Sequence, residues 1–331
     1  MAQPNLPPFD ARAHVLEVRN LPEGAVIVST DEALALAARR HLGQELPIRL
    51  LPDVALGAKT AGLVTVSVAP LRAEPRQAAE QLSQALMGRR VDVLERAGPD
   101  WWRVRTDDGY LGYLHREHLL PANPCWNTGY AALPKWIVAA NYAQAWADPY
   151  DRTEPVFDVT AGCMLGVGDR WVDLAVSGFA VYTPDMRRGY LPSEVLLPER
   201  PTAFAAADML PHIRRWMGAP YLWGGTSPRG IDCSGLVQLA AWLCGLALPR
   251  DASQQVALGT PIESKNPADL LPGDLLFFGD LPQKITHVAV YEGDGNYLHA
   301  SGRVRRNSLV PQAADFDAGR FTTWQTSRRL G

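Results

Sequence analysis

The sequence predicts a multidomain α+β chain in which two small all-β units precede one α+β unit. Three observations carry this. At 331 residues the chain is long for a single core, since domains run to roughly 150 residues. Residues 112–121, GYLHREHLLP, recur as residues 189–198, GYLPSEVLLP, with seven of ten positions identical at an offset of 77, which indicates a duplicated unit. The last third holds an apolar-periodic helix followed by alternating strands, a pattern absent from both copies of the repeat.

A hydrophobic fraction of 47%, with 20% charged residues and 10 Trp, supplies packed cores and excludes disorder as the dominant state. The formal net charge of -3 leaves no basic footprint, so nucleic acid is not an expected partner. Four cysteines, Cys125, Cys163, Cys233 and Cys244, are too sparse for a disulfide framework. No cation precedes Arg12, and prolines interrupt the region where a signal peptide needs an apolar helix. The longest apolar stretch, residues 236–248, falls short of the ~18 to 20 residues that cross a bilayer. The expectation is a cytoplasmic monomer without membrane contact.

Taken in order, residues 31–43 form a helix with an acidic start and a basic end, matching the macrodipole, and carry no chemistry. Short apolar runs bounded by Gly, Pro and Asp then read as strands. In each repeat a Trp-bearing strand precedes a turn and Gly-Tyr-Leu: residues 101–105 in the first copy and 171–175 in the second. Aligning these two strands gives the second copy a hairpin about eight residues longer. The pattern, over residues 62–121 and 125–198, resembles bacterial SH3-like domains, which implies two small barrels. The Pro-rich stretch 197–201 reads as a linker. The expected units are 1–121, 122–199 and 200–331.

Beyond the linker, residues 203–217 have helical spacing, with His212 as a surface residue. A glycine-rich loop follows. It is not a phosphate-binding Walker loop, because Ile231-Asp232 stands where Lys-Ser/Thr is required. Leu236, Leu239, Ala240 and Leu243 fall on one helical face and Gly245 supplies a stop, so Cys233 opens a buried helix. A thiol there meets the helix dipole and unpaired N–H groups, which favour thiolate. Full ionisation of an ordinary thiol gains at most ~30-fold at neutral pH, whereas a backbone oxyanion donor is worth ~100 to 1,000-fold.

The thiol needs an imidazole partner, and two histidines flank a hairpin. Alternation puts His287, Ala289 and Tyr291 on one face. A turn centred near Gly293 makes His287 and His299 direct cross-strand neighbours, with Cβ atoms about 4.5 to 5.5 Å apart. One imidazole can take the thiol proton while the other fixes its tautomer. A zinc site of Cys233, Cys244, His287 and His299 is the weaker reading, since the short ligand spacings of closed sites are missing and Cys244 reads as core.

Six stretches in order, residues 220–225 (PYLWGG), 232–235 (DCSG), 248–255 (LPRDASQQ), 272–278 (PGDLLFF), 287–291 (HVAVY) and 299–301 (HAS), resemble the NlpC-type papain-like cysteine peptidases of bacterial cell-wall metabolism. The resemblance covers about 203–330. It implies a papain-like α+β domain with Cys233 as nucleophile, His287 as base and His299 as third polar residue, and no metal or other cofactor. Two SH3-like units ahead of such a domain look like the γ-D-glutamyl-L-diamino acid endopeptidases that recycle murein peptides with a free N-terminal L-Ala. On that resemblance the murein peptide is the partner, and Glu80 and Tyr110 reach it from the first SH3-like unit. Tyr221, Trp223, Asp232, Ser234 and Asp251 complete the substrate-binding set. Carboxylates and hydroxyls are also what a free ammonium needs. Two other readings stand beside it: an acyl or amide transferase on the same Cys-His machinery, and a catalytically silent cell-wall-fragment binder.

Overall fold

The computed structural model describes residues 6, 8–122, 128–173 and 176–331; Cys125 and the end of the expected 171–175 strand lie outside them. The chain begins with a three-stranded sheet. β1 (Leu16–Leu21) and β2 (Gly24–Ser29) form a hairpin, and β3 (Ile48–Leu50) returns parallel to β2 after helix α1 (Glu32–Leu42). α1 is the expected 31–43 helix. The Asp31 carboxylate accepts the Leu34 N–H, Gly43 at φ 62° closes the other end, and Ala35 and Ala38 are buried in the same cluster as Ile27 of β2.

Seven strands follow: β4 (Ala61–Val64), β5 (Val68–Arg72), β6 (Gln81–Leu86), β7 (Arg90–Arg96), β8 (Trp101–Thr106), β9 (Leu111–His115) and β10 (Leu119–Ala122). After a short helix α2 (Thr128–Ala132) come seven more: β11 (Lys135–Val138), β12 (Ala143–Trp146), β13 (Pro155–Val159), β14 (Met164–Val172), β15 (Ser177–Tyr182), β16 (Arg188–Pro192) and β17 (Leu196–Leu197). The first sheet runs β10-β4-β7-β8-β9-β5-β6 and the second β17-β11-β14-β15-β16-β12-β13, the same order strand for strand. Even the weakest joint recurs: Arg72↔Tyr113 alone ties β5 to β9, and Trp146↔Tyr190 alone ties β12 to β16. Both sheets are open at their terminal strands rather than closed barrels.

Register corrects the expected alignment of the copies. Trp102↔Leu114 in the first sheet becomes Phe179↔Leu191 in the second, both members shifted by 77. Upstream, Leu63↔Arg90 becomes Ile137↔Met164, a shift of 74. The hairpin β14–β15 is therefore three residues longer than its counterpart, not eight. Trp171 belongs to β14, and Phe179 holds the place of Trp102. The sequence misled because tryptophan opens β8 at Trp101 and Trp102 but closes β14 at Trp171, so the same residue type marks opposite ends of two different strands.

The last unit contains α3 (Met209–Arg215), a two-stranded ribbon of β18 (Thr226–Ser227) and β19 (Gly230–Ile231), α4 (Cys233–Leu243) and α5 (Ala252–Gln255). A sheet then forms from β20 (Thr260–Ile262), β21 (Leu275–Leu281), β22 (Lys284–Gly293), β23 (Asn296–Ser301), β24 (Arg303–Ser308) and β25 (Trp324–Arg329), with α6 (Ala318–Thr323) between the last two. Strand order is β20-β25-β21-β22-β23-β24, antiparallel throughout. α3 is shorter than the expected 203–217 helix, a 3-10 turn at Ala206–Asp208 leading into it, and His212 is half-buried against Trp216 rather than a surface residue. α4 lays Leu236, Val237, Ala240 and Leu243 against Val288, Val290, Leu298 and Val304 of the sheet. The same core continues into the second seven-stranded sheet through Ile137, Val159, Cys163 and Leu165, so those two units share apolar burial, the main stabilising term. No helix among the described residues is long and apolar enough to cross a membrane.

Candidate active site

The loop preceding α4 is pinned by its glycines. Gly224 has φ +73°, and a Cβ there would stand 2.5 Å from the Gln81 carbonyl of β6; a Cβ on Gly235 would stand 2.1 Å from the Gly225 carbonyl. This lets the loop press against both α4 and the first seven-stranded sheet. Asp232 then caps α4. Its carboxylate accepts the Gly235 N–H at 2.8 Å, the Gly224 N–H at 2.9 Å, the Ser234 hydroxyl at 3.2 Å and two nitrogens of Arg250 at 3.1 and 2.5 Å. Arg250, 2% exposed, also donates to Ser234 Oγ at 2.9 Å and to Ser83 Oγ of β6 at 3.0 Å. A buried ion pair of this kind persists because both carboxylate oxygens and all three guanidinium nitrogens are engaged. Sequence inspection quoted Arg250 inside a motif but gave it no role.

Cys233 is the first residue of α4 and 7% exposed. Backbone N–H groups of Ser234 and of Val288 on β22 point to its sulfur, which brings the strand of His287 to the thiol. The Cys233 N–H has no acceptor among the described hydrogen bonds and is the donor available to an oxyanion. The expected shift of the thiol toward thiolate is reversed. Burial, with the Asp232 carboxylate second, pushes the Cys233 thiol up to about 11, so desolvation and a neighbouring negative charge outweigh the helix dipole.

His287 and His299 are brought together, but in a register other than the one expected. The ladder pairs Tyr291↔Tyr297 and Val290↔Leu298. Carried along the strands, that register sets Ala289, not His287, across from His299, so the two imidazoles meet diagonally. The turn residues Asp294 and Gly295 both have positive φ, and the register slips between Tyr291 and Gly293. A two-residue turn with a bulge was not visible in the run of Gly, Asp and Asn.

The hydrogen bonds fix both tautomers. The Asp315 carbonyl accepts from Asn307 Nδ2 at 2.7 Å, which turns Asn307 Oδ1 toward His299 Nε2 at 3.0 Å. His299 Nε2 therefore carries the proton and its Nδ1 the lone pair. At 2.8 Å from that lone pair, His287 Nε2 donates, which leaves the lone pair of His287 on Nδ1. Asn307 was missed by sequence analysis. The signal lay in alternation along β24, which puts residues 305 and 307 on the face of His299. Burial, then Arg320, then His299, holds His287 well below the usual imidazole range; burial holds His299 near 4. Resting thiol and imidazole are thus both neutral.

A cleft of about 540 Å³ is lined by Cys233 together with Tyr221, Trp223, Ser234, Ala252, Thr286, Glu80, Tyr110 and Asp251. All seven residues expected to bind substrate line it. Trp223, 63% exposed, donates its indole N–H to Glu80 at 2.9 Å, and Gln81 donates to the Trp223 carbonyl at 3.0 Å. Tyr110 donates to Asp251 at 3.2 Å, and burial followed by the Asp251 charge pushes its phenol up. Arg12 of the N-terminal segment reaches Asp251 at 3.1 Å and Ser253 at 3.0 Å, while its carbonyl accepts the Leu111 N–H. Asp232 and Asp251 thus each face an arginine, and Glu80 is the cleft carboxylate without one. The other described cysteines stand apart: Cys163 and Cys244 are buried, unpaired core residues.

Residues 218–317 match the NlpC/P60 family, and residues 71–119 match the bacterial dipeptidyl-peptidase Sh3 domain. Dipeptidyl-peptidase 6 of Lysinibacillus sphaericus is 32% identical over 259 residues, which is 76% of this chain and 92% of that protein. The gamma-D-glutamyl-L-lysine dipeptidyl-peptidase of Bacillus cereus is 28% identical over 260 residues, 69% of this chain and 70% of that one. A crystal structure of an NlpC/P60 family protein from Bacillus cereus covers 81% of this chain with a TM-score of 0.68 at 23% identity, a likeness of fold. An SH3-like unit therefore precedes an NlpC/P60 unit, and the chain belongs to the NlpC/P60 family and is a cysteine peptidase.

Proposed function

We propose that the enzyme hydrolyses the bond between γ-D-Glu and the following diamino acid in murein peptides that carry a free N-terminal L-Ala. The observation that carries this is a carboxylate in the cleft of Cys233: Glu80, bonded to Trp223 and facing no arginine, lines the same cavity as the Tyr110 hydroxyl. A free ammonium is the group such a carboxylate recognises, through charge-assisted hydrogen bonds. Because Asp232 and Ser234 are engaged with Arg250 and the helix N-terminus, their part is to hold the cleft wall, and Glu80 reads the charge.

In this mechanism Cys233 is the nucleophile, His287 the general base and His299 its orienting partner. Sγ–H gives its proton to His287 Nδ1 as sulfur attacks the glutamyl carbonyl, and the Cys233 N–H supports the oxyanion. Collapse breaks the C–N bond, and His287 returns the proton to the leaving amine. Water, deprotonated by the same imidazole, then cleaves the thioester. A free N-terminus belongs to peptides already detached from the glycan, which suits cytoplasmic recycling by a monomer. We read the second sheet, by its identical strand order, as a second SH3-like unit, with units at 1–121, 122–199 and 200–331.

The test is release of diaminopimelate from L-Ala-γ-D-Glu-diaminopimelate, followed by mass spectrometry, with Cys233→Ala as control. Cleavage that survives Cys233→Ala sinks the nucleophile. Acetylating the peptide N-terminus, or Glu80→Gln, should raise KM roughly 10- to 100-fold, the worth of a hydrogen bond to a charged group; equal cleavage of blocked and free peptide rejects the ammonium pocket.

A further inference from the structure

A second group of charges, opposite in sign, adjoins the histidine pair and is absent from the lining of the acidic cleft. Arg305 sits directly across the β23–β24 ladder from His299 and so shares its face. Its Nε is buried with no hydrogen-bond partner. Arg320, on α6, places its guanidinium 5.8 Å from the ring of Phe278, whose ring centre lies 5.8 Å from that of His287.

Among the described residues neither guanidinium is paired with a carboxylate. Several arginines of this unit are paired, Arg306 and Arg214 with Glu292, Arg329 with Asp274 and Arg250 with Asp232, while Arg328 shares with Arg305 a buried, unpartnered Nε but does not face the histidines. Asp317, three residues before Arg320, turns its carboxylate to the Arg320 backbone N–H at 2.9 Å and leaves the side chain unneutralised. A buried donor without a partner is destabilising, and two cations beside a base weaken that base. An anion bound there relieves both effects.

We propose that Arg305 and Arg320 form an anion subsite that takes a carboxylate of the peptide next to the scissile bond. This rests on the γ-D-glutamyl reading above. A γ-linked glutamate leaves its α-carboxylate free, and the diamino acid carries a carboxylate one carbon from the scissile nitrogen. Either is a carboxylate suited to a guanidinium fork. The substrate is then read as a dipole: ammonium at Glu80, carboxylate at Arg305 and Arg320, with Cys233 between them.

The experiment uses the full chain and three peptides: L-Ala-γ-D-Glu-diaminopimelate, the same peptide amidated at the glutamate α-carboxyl, and the same peptide amidated at the diamino acid α-carboxyl. Arg320→Gln and Arg305→Gln should each raise KM for the free peptide roughly 10- to 100-fold, the worth of a charged hydrogen bond, with kcat changed less. Arg320→Lys should recover most of the loss. Wild-type enzyme should be equally weakened by the amide that removes the bound carboxylate, and on that peptide Arg320→Gln should cost nothing more; whichever amide behaves so identifies the carboxylate. Variants within twofold of wild type on the free peptide, or equally impaired on all three, overturn the subsite while wild-type cleavage leaves the peptidase reading standing. A wild-type enzyme that cuts none of the three overturns both.

Discussion

Asn307 is the part of the site whose removal has the most calculable effect. In Asn307→Ala the His299 Nε2–H, donated to Oδ1 at 3.0 Å, is left buried beside a side chain that is 0% exposed. That costs about 1 to 3 kcal/mol, enough to let the other tautomer compete. With the proton on His299 Nδ1, His287 Nε2 must accept and its Nδ1 carries the hydrogen, so it cannot deprotonate Cys233. A bias of about 2 kcal/mol lowers the productive fraction roughly 30-fold, so kcat should fall 10- to 100-fold with KM nearly unchanged. Asn307→Asp works the other way. A carboxylate keeps the productive tautomer and stabilises the imidazolium. At 3 Å and an effective dielectric near 20 the attraction is at most about 5 kcal/mol, which desolvation of the carboxylate reduces to a rise of about 1 to 3 pKa units. The acid limb of kcat/KM reports protonation of the free enzyme's base, so it should move to higher pH by that amount. The Asp315 carbonyl then keeps only the Ser308 N–H as donor, and thermal unfolding should register the lost bond. An Asn307→Ala enzyme with wild-type kcat, together with an unmoved acid limb in Asn307→Asp, refutes the tautomer argument.

The buried imidazoles also link stability to pH. Both lie below the 6.5 of a free histidine, so the unfolded chain binds the extra protons. Their contribution is complete above pH 6.5 and is lost as pH falls through the folded values, about 3 kcal/mol for His299 between 6.5 and 4. Urea unfolding from pH 7.5 to 4.5 should show the decline, and His299→Asn should remove its share. Arg250→Met strands Asp232 and should destabilise by about 3 to 5 kcal/mol, with partial recovery in the Arg250→Met, Asp232→Asn double variant; a urea midpoint unchanged in the single variant contradicts the structural role. Because the Cys233 thiol lies near 11, its alkylation by iodoacetamide should rise about tenfold per pH unit from 7 to 10. A plateau between pH 5 and 8 signals a thiolate–imidazolium pair instead.

What the sequence revealed follows a physical line between local and distant causes. The Cys233 helix, the glycine loop before it and the existence of the repeat are written in spacing and turn residues, whereas the alignment of the two copies needed the strand register. The thiol's direction of shift was read from the helix dipole and the unpaired N–H groups of the helix start. Burial of Cys233 comes from β22, more than fifty residues away, and nothing at position 233 announces it. The histidine pair was found through alternation, yet its register was off by one pair because a two-residue turn and a bulge shift the ladder without altering the face. Asn307 and Arg250 were passed over for a similar reason. Each acts on a catalytic or cleft residue across a strand or between units, and its partner is set by the fold.

The neutral resting pair and the charge layout of the cleft belong to one arrangement. Burial, then Arg320, His299 and Arg305, depresses His287, and burial, then Asp232, raises Cys233, so a neighbouring charge adds to desolvation in holding each half of the pair away from the ionised state. A carboxylate seated between the two arginines offsets the first effect and makes His287 a better base. An ammonium at Glu80 brings positive charge into the cleft that Cys233 lines and so favours the thiolate. Both neutralising charges sit on one peptide only when its N-terminus is free and a carboxylate flanks the scissile bond. Recognition and activation then draw on the same two ends of the substrate, which is why loss of either end should lower the rate of attack as well as binding.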